Sequence, residues 1–210
     1  MRLTVFGATG GIGQEIVRQG LAAGHQVTAV VRDPARLSVT GEGLEVFQAD
    51  LTDAEALRAA VEDRDAVLSG LGARSRKDVG VASRLTRTVL EAMRAEGVRR
   101  VLVVSAAPLA ASPADEPALD RAVRSVIRTL LKGVYADLAE MEAELERSDT
   151  DWTSVRPPRL LDRPLTGTYR RVVGGNPRKG RMIGRADVAH AMLSMTEDPA
   201  TVRKAVGVAY

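Results

Sequence analysis

Short apolar runs alternate along the chain with longer stretches whose apolar residues return three and four positions apart. The runs read as strands at residues 3–6, 26–31, 44–47, 66–69, 101–105 and 152–156. The stretches between them read as amphipathic helices at 12–23, 54–61, 82–96 and, as one long element, about 118–147. Regular alternation of strand and helix predicts an α/β fold, a doubly wound parallel sheet with helices on both faces. Each connection is long enough for a right-handed crossover.

The last fifty residues break this rhythm. TYRRVV followed by GGNPRKGRMI reads as a hairpin, then comes a helix from about 185 to 196 and a short terminal strand, VGVAY. In a doubly wound fold this region, about 157–210, is where a small substrate-side subdomain sits. Neither an internal repeat nor a linker divides the chain, so one domain over 1–210 is expected. The Pro-rich loop APLAASPADEPA at 107–118 has the composition of a lid or binding loop.

Composition narrows the function classes. The chain has 210 residues, enough to bury roughly 70% of its unfolded surface. No apolar run approaches the ~20 residues needed to span a bilayer. Met1 leads straight into RLTVFG without a leader pattern, so a cytoplasmic, membrane-free protein is expected. There is no cysteine, which removes disulfides, thiolate metal sites and thiol nucleophiles, and two isolated histidines, His25 and His190, make no metal cluster. The net charge is +3, with basic clusters ARSRKD, VRR and NPRKGR. Aromatics make up only 3% of the chain, too few for stacking on nucleobases, so nucleic acid is rejected as a partner.

The chemistry begins where the first strand breaks into glycines, TVFGATGGIG. Gly7, Gly10 and Gly13 are spaced G-x-x-G-x-x-G between a strand and a helix. That context favours a phosphate cradle over a mere tight turn. Gly7 permits the turn, Gly10 the close approach of a ligand, and Gly13 the packing of helix on strand. The first helical N–H groups and the positive helix end then face a pyrophosphate, and the Thr9 hydroxyl adds a donor. No Gly-Lys-Ser/Thr follows, which excludes a Walker-type nucleotide site. The second strand runs into VVRDPARL, with Arg32 where an Asp or Glu would read the ribose 2′-hydroxyl of NADH, and Arg36 just beyond. Two guanidinium groups suit a 2′-phosphate, so NADPH is the expected cofactor. Asp33 runs against this unless it points away. Asp50 and Leu51 end the third strand beside the expected adenine, and SGLGAR at 69–74 ends the fourth near the nicotinamide ribose.

GATGGIG, VVRDPARL, RDAVLSGLGAR, VLEAMRAEGVRRVLVVSA, SVRPPRLLDRPLTGTY and GRADVAHAML occur in an order that resembles the NADPH-dependent flavin reductase/biliverdin reductase B family. That group belongs to the atypical short-chain dehydrogenases, near the NmrA-like proteins. The resemblance covers roughly residues 2–200 and implies one Rossmann-type domain that reduces flavins, quinones or tetrapyrrole-like planar acceptors with NADPH. Carried over residue by residue, it places NADPH against Gly7, Thr9, Gly10, Gly11, Ile12, Gly13, Arg32, Arg36, Asp50, Leu51, Leu71, Gly72 and Arg74. Pro158 and Arg159 then line the nicotinamide and substrate side. It leans towards a monomer, with a dimer left open.

The departures bear on catalysis. Tyr135 is the nearest candidate for the Tyr-x-x-x-Lys relay of short-chain dehydrogenases, yet Ala139 stands where the lysine belongs. The family's active-site serine falls on Ala106, which leaves Ser105 as the substitute, and two family histidines fall on Arg159 and Leu138. Ser105 and Arg159 are therefore the expected catalytic residues. Hydride transfer to a planar acceptor needs mainly stacking at near-attack distance, and water can supply the proton. Two other readings stand beside this one: a non-catalytic NADP(H)-sensing regulator, and a reductase or epimerase of one specific metabolite.

Overall fold

A computed structural model describes residues 1–72, 80–109 and 131–210. Eight strands form one sheet in the order β3-β2-β1-β4-β5-β6-β10-β8. They are β1 (Arg2–Phe6), β2 (Gln26–Val31), β3 (Leu44–Gln48), β4 (Ala66–Ser69), β5 (Arg100–Val104), β6 (Asp151–Arg156), β8 (Arg170–Val173) and β10 (Lys204–Ala209). All neighbours run parallel except β8, which is antiparallel to β10. A separate pair, β7 (Arg159–Leu161) and β9 (Met182–Gly184), is also parallel. The described helices are α1 (Gly11–Ala22), α2 (Ala54–Val61), α3 (Val81–Ala95), α4 (Lys132–Arg147) and α5 (Arg185–Ser194). None is long and apolar enough to cross a membrane.

Because side chains alternate across a strand, each central strand feeds two cores. Leu3, Val5, Val27, Ala29, Leu68, Leu102, Val155, Val206 and Val208 pack with α1 and α5 on one face. Phe6, Val30, Val67, Val101, Val103 and Trp152 pack with α2, α3 and α4 on the other. Helices thus cover both faces, as the alternation predicts.

The expected hairpin in the last fifty residues does not form. The strand at TYRRVV pairs with β10, and the strand ending GGNPRKGRMI pairs with β7. Both partners lie far along the chain, so loop composition carried no information about them. The terminal strand is also more central than expected: β10 lies between β6 and β8 with its last four residues buried. Residues 110–130, which hold most of the expected Pro-rich loop and the first part of the expected long helix, lie outside the described residues. The remainder of that helix is α4.

Candidate functional site

The strand order reverses between β1 and β4, and the glycine loop lies at that point. Gly7 adopts φ +71° and packs against the end of β4, where a Cβ would sit 2.7 Å from the Gly70 carbonyl carbon. The Gly7 carbonyl accepts the Gly10 N–H at 2.9 Å and closes the turn. A Cβ at Gly13 would fall 2.1 Å from that same oxygen, so helix and loop meet at a distance only glycine allows. Gly10 is the N-cap of α1 and offers no side-chain bond, and the first turn carries no acidic residue. The positive end of α1 is thereby left for an anion. Ile12 is buried beneath it, while Gly11 is exposed. Behind the loop, Gln14 donates to the Thr9 carbonyl and accepts from Ser38.

Arg32, Arg36, Asp33 and Thr9 line a cavity of about 310 Å³ beside this loop. Asp33 caps the short 3₁₀ turn Pro34–Arg36, its carboxylate accepting the Ala35 N–H at 3.1 Å. That contact uses one oxygen of the carboxylate, and the turn it starts presents Arg36. A second cavity, also about 310 Å³, is lined by Gly7, Thr9, Arg32, Asp50, Leu51, Leu71, Gly72, Val81, Arg84 and Leu85, among others. Its aliphatic side chains with the Asp50 carboxylate suit a flat heteroaromatic ring bearing a donor, and Arg32 and Arg84 add positive charge beside it. Bonds from the Thr52 N–H and hydroxyl, with the charge of Arg32 as a smaller cause, hold the Asp50 carboxyl below its usual range. Eleven of the expected binding residues thus meet at one sheet edge: Gly7, Thr9, Gly10, Gly11, Ile12, Gly13, Arg32, Arg36, Asp50, Leu51 and Leu71, with Gly72 beside them. Arg74 lies outside the described residues.

The expected substrate side lies where β5 and β6 end. Ser105 N–H donates to Val155 and Ala107 N–H to Pro157, which ties the two strand ends together. Ser105 itself is buried, with 6% exposure, and among the described residues its Oγ lacks a close hydrogen-bond partner, Glu142 being near enough only for a weak interaction. Pro158 follows the tie half-buried, and Arg159 opens β7 exposed. Ala106 is half-buried and adds no hydroxyl. Tyr135 lies on the first turn of α4 with exposed Ala139 one turn on, so the lysine position of the relay supplies no cation. Burial pushes that phenol above its ordinary value, the opposite of what a proton donor to a developing alkoxide needs. His190 is bound to the Tyr169 hydroxyl at 2.8 Å and His25 lies 3.3 Å from the Met1 amine, so both do structural work. Among the described residues no group of acids and histidines is placed to hold a metal.

Two buried carboxylates beneath this edge escaped the sequence reading. Glu142 of α4 takes bonds from Ser154 and from Nε and Nη2 of Arg156, at 2.5, 2.9 and 2.5 Å. Burial pushes its carboxyl up, but these bonds and the Arg156 charge outweigh it and hold the group below its usual range; nearby Ser105 contributes least. Asp137, also on α4, caps α3 from outside, accepting the Ala82 and Ser83 N–H groups at 2.9 Å each and the Ser83 hydroxyl at 2.6 Å. A third acid, Asp187 on α5, binds Thr166, Gly167 and the Tyr210 hydroxyl and so fixes the loop after β7. Helical spacing marks α4 as amphipathic but does not say which strand residue each acid meets.

Residues 7–199 match the model of the NAD(P)H-binding family. A 3-diazoavenalumate denitrifying reductase from a Streptomyces species is 36% identical over 159 residues, 70% of this chain and 51% of that protein. The chain thus spans about half the length of that curated relative. Among solved structures, a protein from Lactobacillus casei superposes with a TM-score of 0.81 at 22% identity, over 100% of this chain and 99% of that one. A Rossmann-fold NAD(P)-binding family protein from Shigella flexneri gives 0.68 at 20% identity, covering 99% and 92%.

Proposed function

The chain belongs to the NAD(P)H-binding family, and from that premise we propose that it is an NADPH-dependent reductase of flavins, quinones or similar planar acceptors, within or near the flavin reductase/biliverdin reductase B group. The observation that carries the choice of cofactor is the cavity lined by Arg32 and Arg36, beside which Asp33 caps the turn that presents Arg36. The rest of the cradle fits the same dinucleotide: an uncapped helix start for the pyrophosphate and a slot of aliphatic side chains with Asp50 for the adenine.

When bound, the cofactor supplies a hydride to the acceptor. The protein's own work is orientation. The glycine loop receives the phosphates, and Pro158 and Arg159, which follow the tied ends of β5 and β6, are assigned to the acceptor side. With the Tyr-x-x-x-Lys relay absent, the chain favours acceptors that take their proton from water. Reductive function is supported by the Streptomyces relative, whose own activity is a reduction.

The first test is loss of reduced-nicotinamide absorbance with FMN, riboflavin and a small quinone, beside a fluorescence titration of NADPH and NADH. Turnover with NADPH supports the reductase. Tight binding with no turnover on any planar acceptor would make the chain a binding protein instead. For the cofactor, Arg32→Ala is expected to raise the Kd of NADPH about 10- to 100-fold, the range for losing charge-assisted bonds, and that of NADH less than about twofold. An equal loss for both would remove the 2′-phosphate from Arg32. For the acceptor, Arg159→Ala is expected to raise KM for FMN several-fold more than for riboflavin, because only FMN carries a phosphate. Equal responses would take Arg159 off the acceptor.

A further inference from the structure

Arg185 reaches the glycine loop from a distant part of the sequence. It is the first residue of α5, and its side chain lies across Gly11. A Cβ on Gly11 would sit 2.6 Å from Arg185 Cδ and 3.0 Å from Nε, and would meet nothing else within 4 Å. The space that Gly11 leaves open is therefore filled by this one side chain. Gly11 is also the first residue of α1, so the guanidinium is held beside the helix end that receives an anion.

The guanidinium is lightly engaged. Among the described residues its one hydrogen bond runs from Nη1 to Asp162 Oδ1 at 2.5 Å, with the aspartate side chain 88% exposed and the arginine 30%. An ion pair so open to water contributes little and exchanges readily. Arginine's planar fork matches two phosphate oxygens better than one solvated carboxylate.

We propose that Arg185 is a pyrophosphate-binding residue, its guanidinium leaving Asp162 for the diphosphate oxygens above the first turn of α1 when the dinucleotide binds. The proposal rests on the dinucleotide reading above and adds a contact from the C-terminal half to a cradle otherwise built by the first half. Its role differs from that of Arg32 and Arg36. The diphosphate is common to NADPH and NADH, so Arg185 supports affinity for both and preference for neither.

The test is a titration of wild type, R185A, R185K and D162N with NADPH, NADH and adenosine 2′-monophosphate, which lacks the diphosphate. R185A is expected to raise the Kd of both dinucleotides about tenfold and alike, the loss of one charge-assisted contact. Binding of adenosine 2′-monophosphate should stay within about twofold. R185K should recover part of the loss as a point charge, and D162N, which removes the competing carboxylate, should tighten both dinucleotides. Unchanged dinucleotide affinity in R185A would overturn the assignment. So would an equal loss for adenosine 2′-monophosphate, or a loss in D162N matching that in R185A, since the pair would then act only by holding the loop. Wild type that binds neither dinucleotide would instead overturn the cofactor reading itself, which keeps the two failures apart.

Discussion

Replacing Glu142 with alanine is expected to cost about 3–5 kcal/mol of folding stability, the range for removing one partner of a buried ion pair. Glu142 is only 8% exposed, and the Arg156 side chain only 17%. The truncation leaves that guanidinium without its anion and leaves the Ser154 hydroxyl without its acceptor. Urea or thermal unfolding measures the loss. Replacing both partners with leucine and methionine should fall much closer to wild type, because no buried charge is then stranded. A loss below about 1 kcal/mol for the single variant would mean that water reaches the pair.

The same pair sets a pH dependence whose sign follows from the direction of the shift. The Glu142 carboxyl is held below its unfolded value, so the folded state binds its proton less readily. The stabilisation is fully present above the unfolded value of about 4.3 and is lost as pH falls through the lower folded value. Glu142→Gln should therefore differ most from wild type near neutral pH, and the two should converge in acid. A constant gap down to strongly acid pH would remove Glu142 as the source.

The second large effect is on binding. Gly13→Ala is expected to weaken NADPH and NADH by about 100-fold or more, the penalty for displacing a positioning group by an ångström. The added methyl would lie 2.1 Å from the Gly7 oxygen and 2.6 Å from its carbon. Both are backbone atoms and cannot rotate aside, and Gly7 has no room to retreat because Gly70 stands behind it. The loop must open, which breaks the turn closed by Gly10. Circular dichroism would check that the variant stays folded, and a fluorescence titration would read the loss. Affinity near wild type would show that the loop relaxes without harm.

What could be read from the sequence was local. The strands of the first half, the glycine loop and the Arg32–Arg36 pair are each written in a few consecutive residues, and the structure places them at one edge. Asp33 was ambiguous until its bond to Ala35 was seen, although Asp before Pro is itself a capping signal. The missed features join distant segments: Glu142 to Arg156, Asp137 to the start of α3, and Asp187 to Tyr210. Asp137 and Glu142 sit on an amphipathic helix where they read as solvated surface, and Asp187 sits in the first turn of a helix buried on most sides. Only the register of helix on strand turns these acids inward. The hairpin failed for a related reason. A glycine-rich turn between two short strands suggests local pairing, but the unbroken apolar run AVGVA in β10 offers a better partner, buried between its neighbours.

That placement of β10 orders the assembly of the sheet in time. β8 precedes β10 in the chain but touches the sheet only through it, since β10 is the strand hydrogen-bonded to both β6 and β8. β8 therefore joins the sheet either together with the later strand or after it. Its contacts with the sheet join segments far apart in the chain, while the glycine loop, between β1 and α1, closes from residues adjacent in the chain.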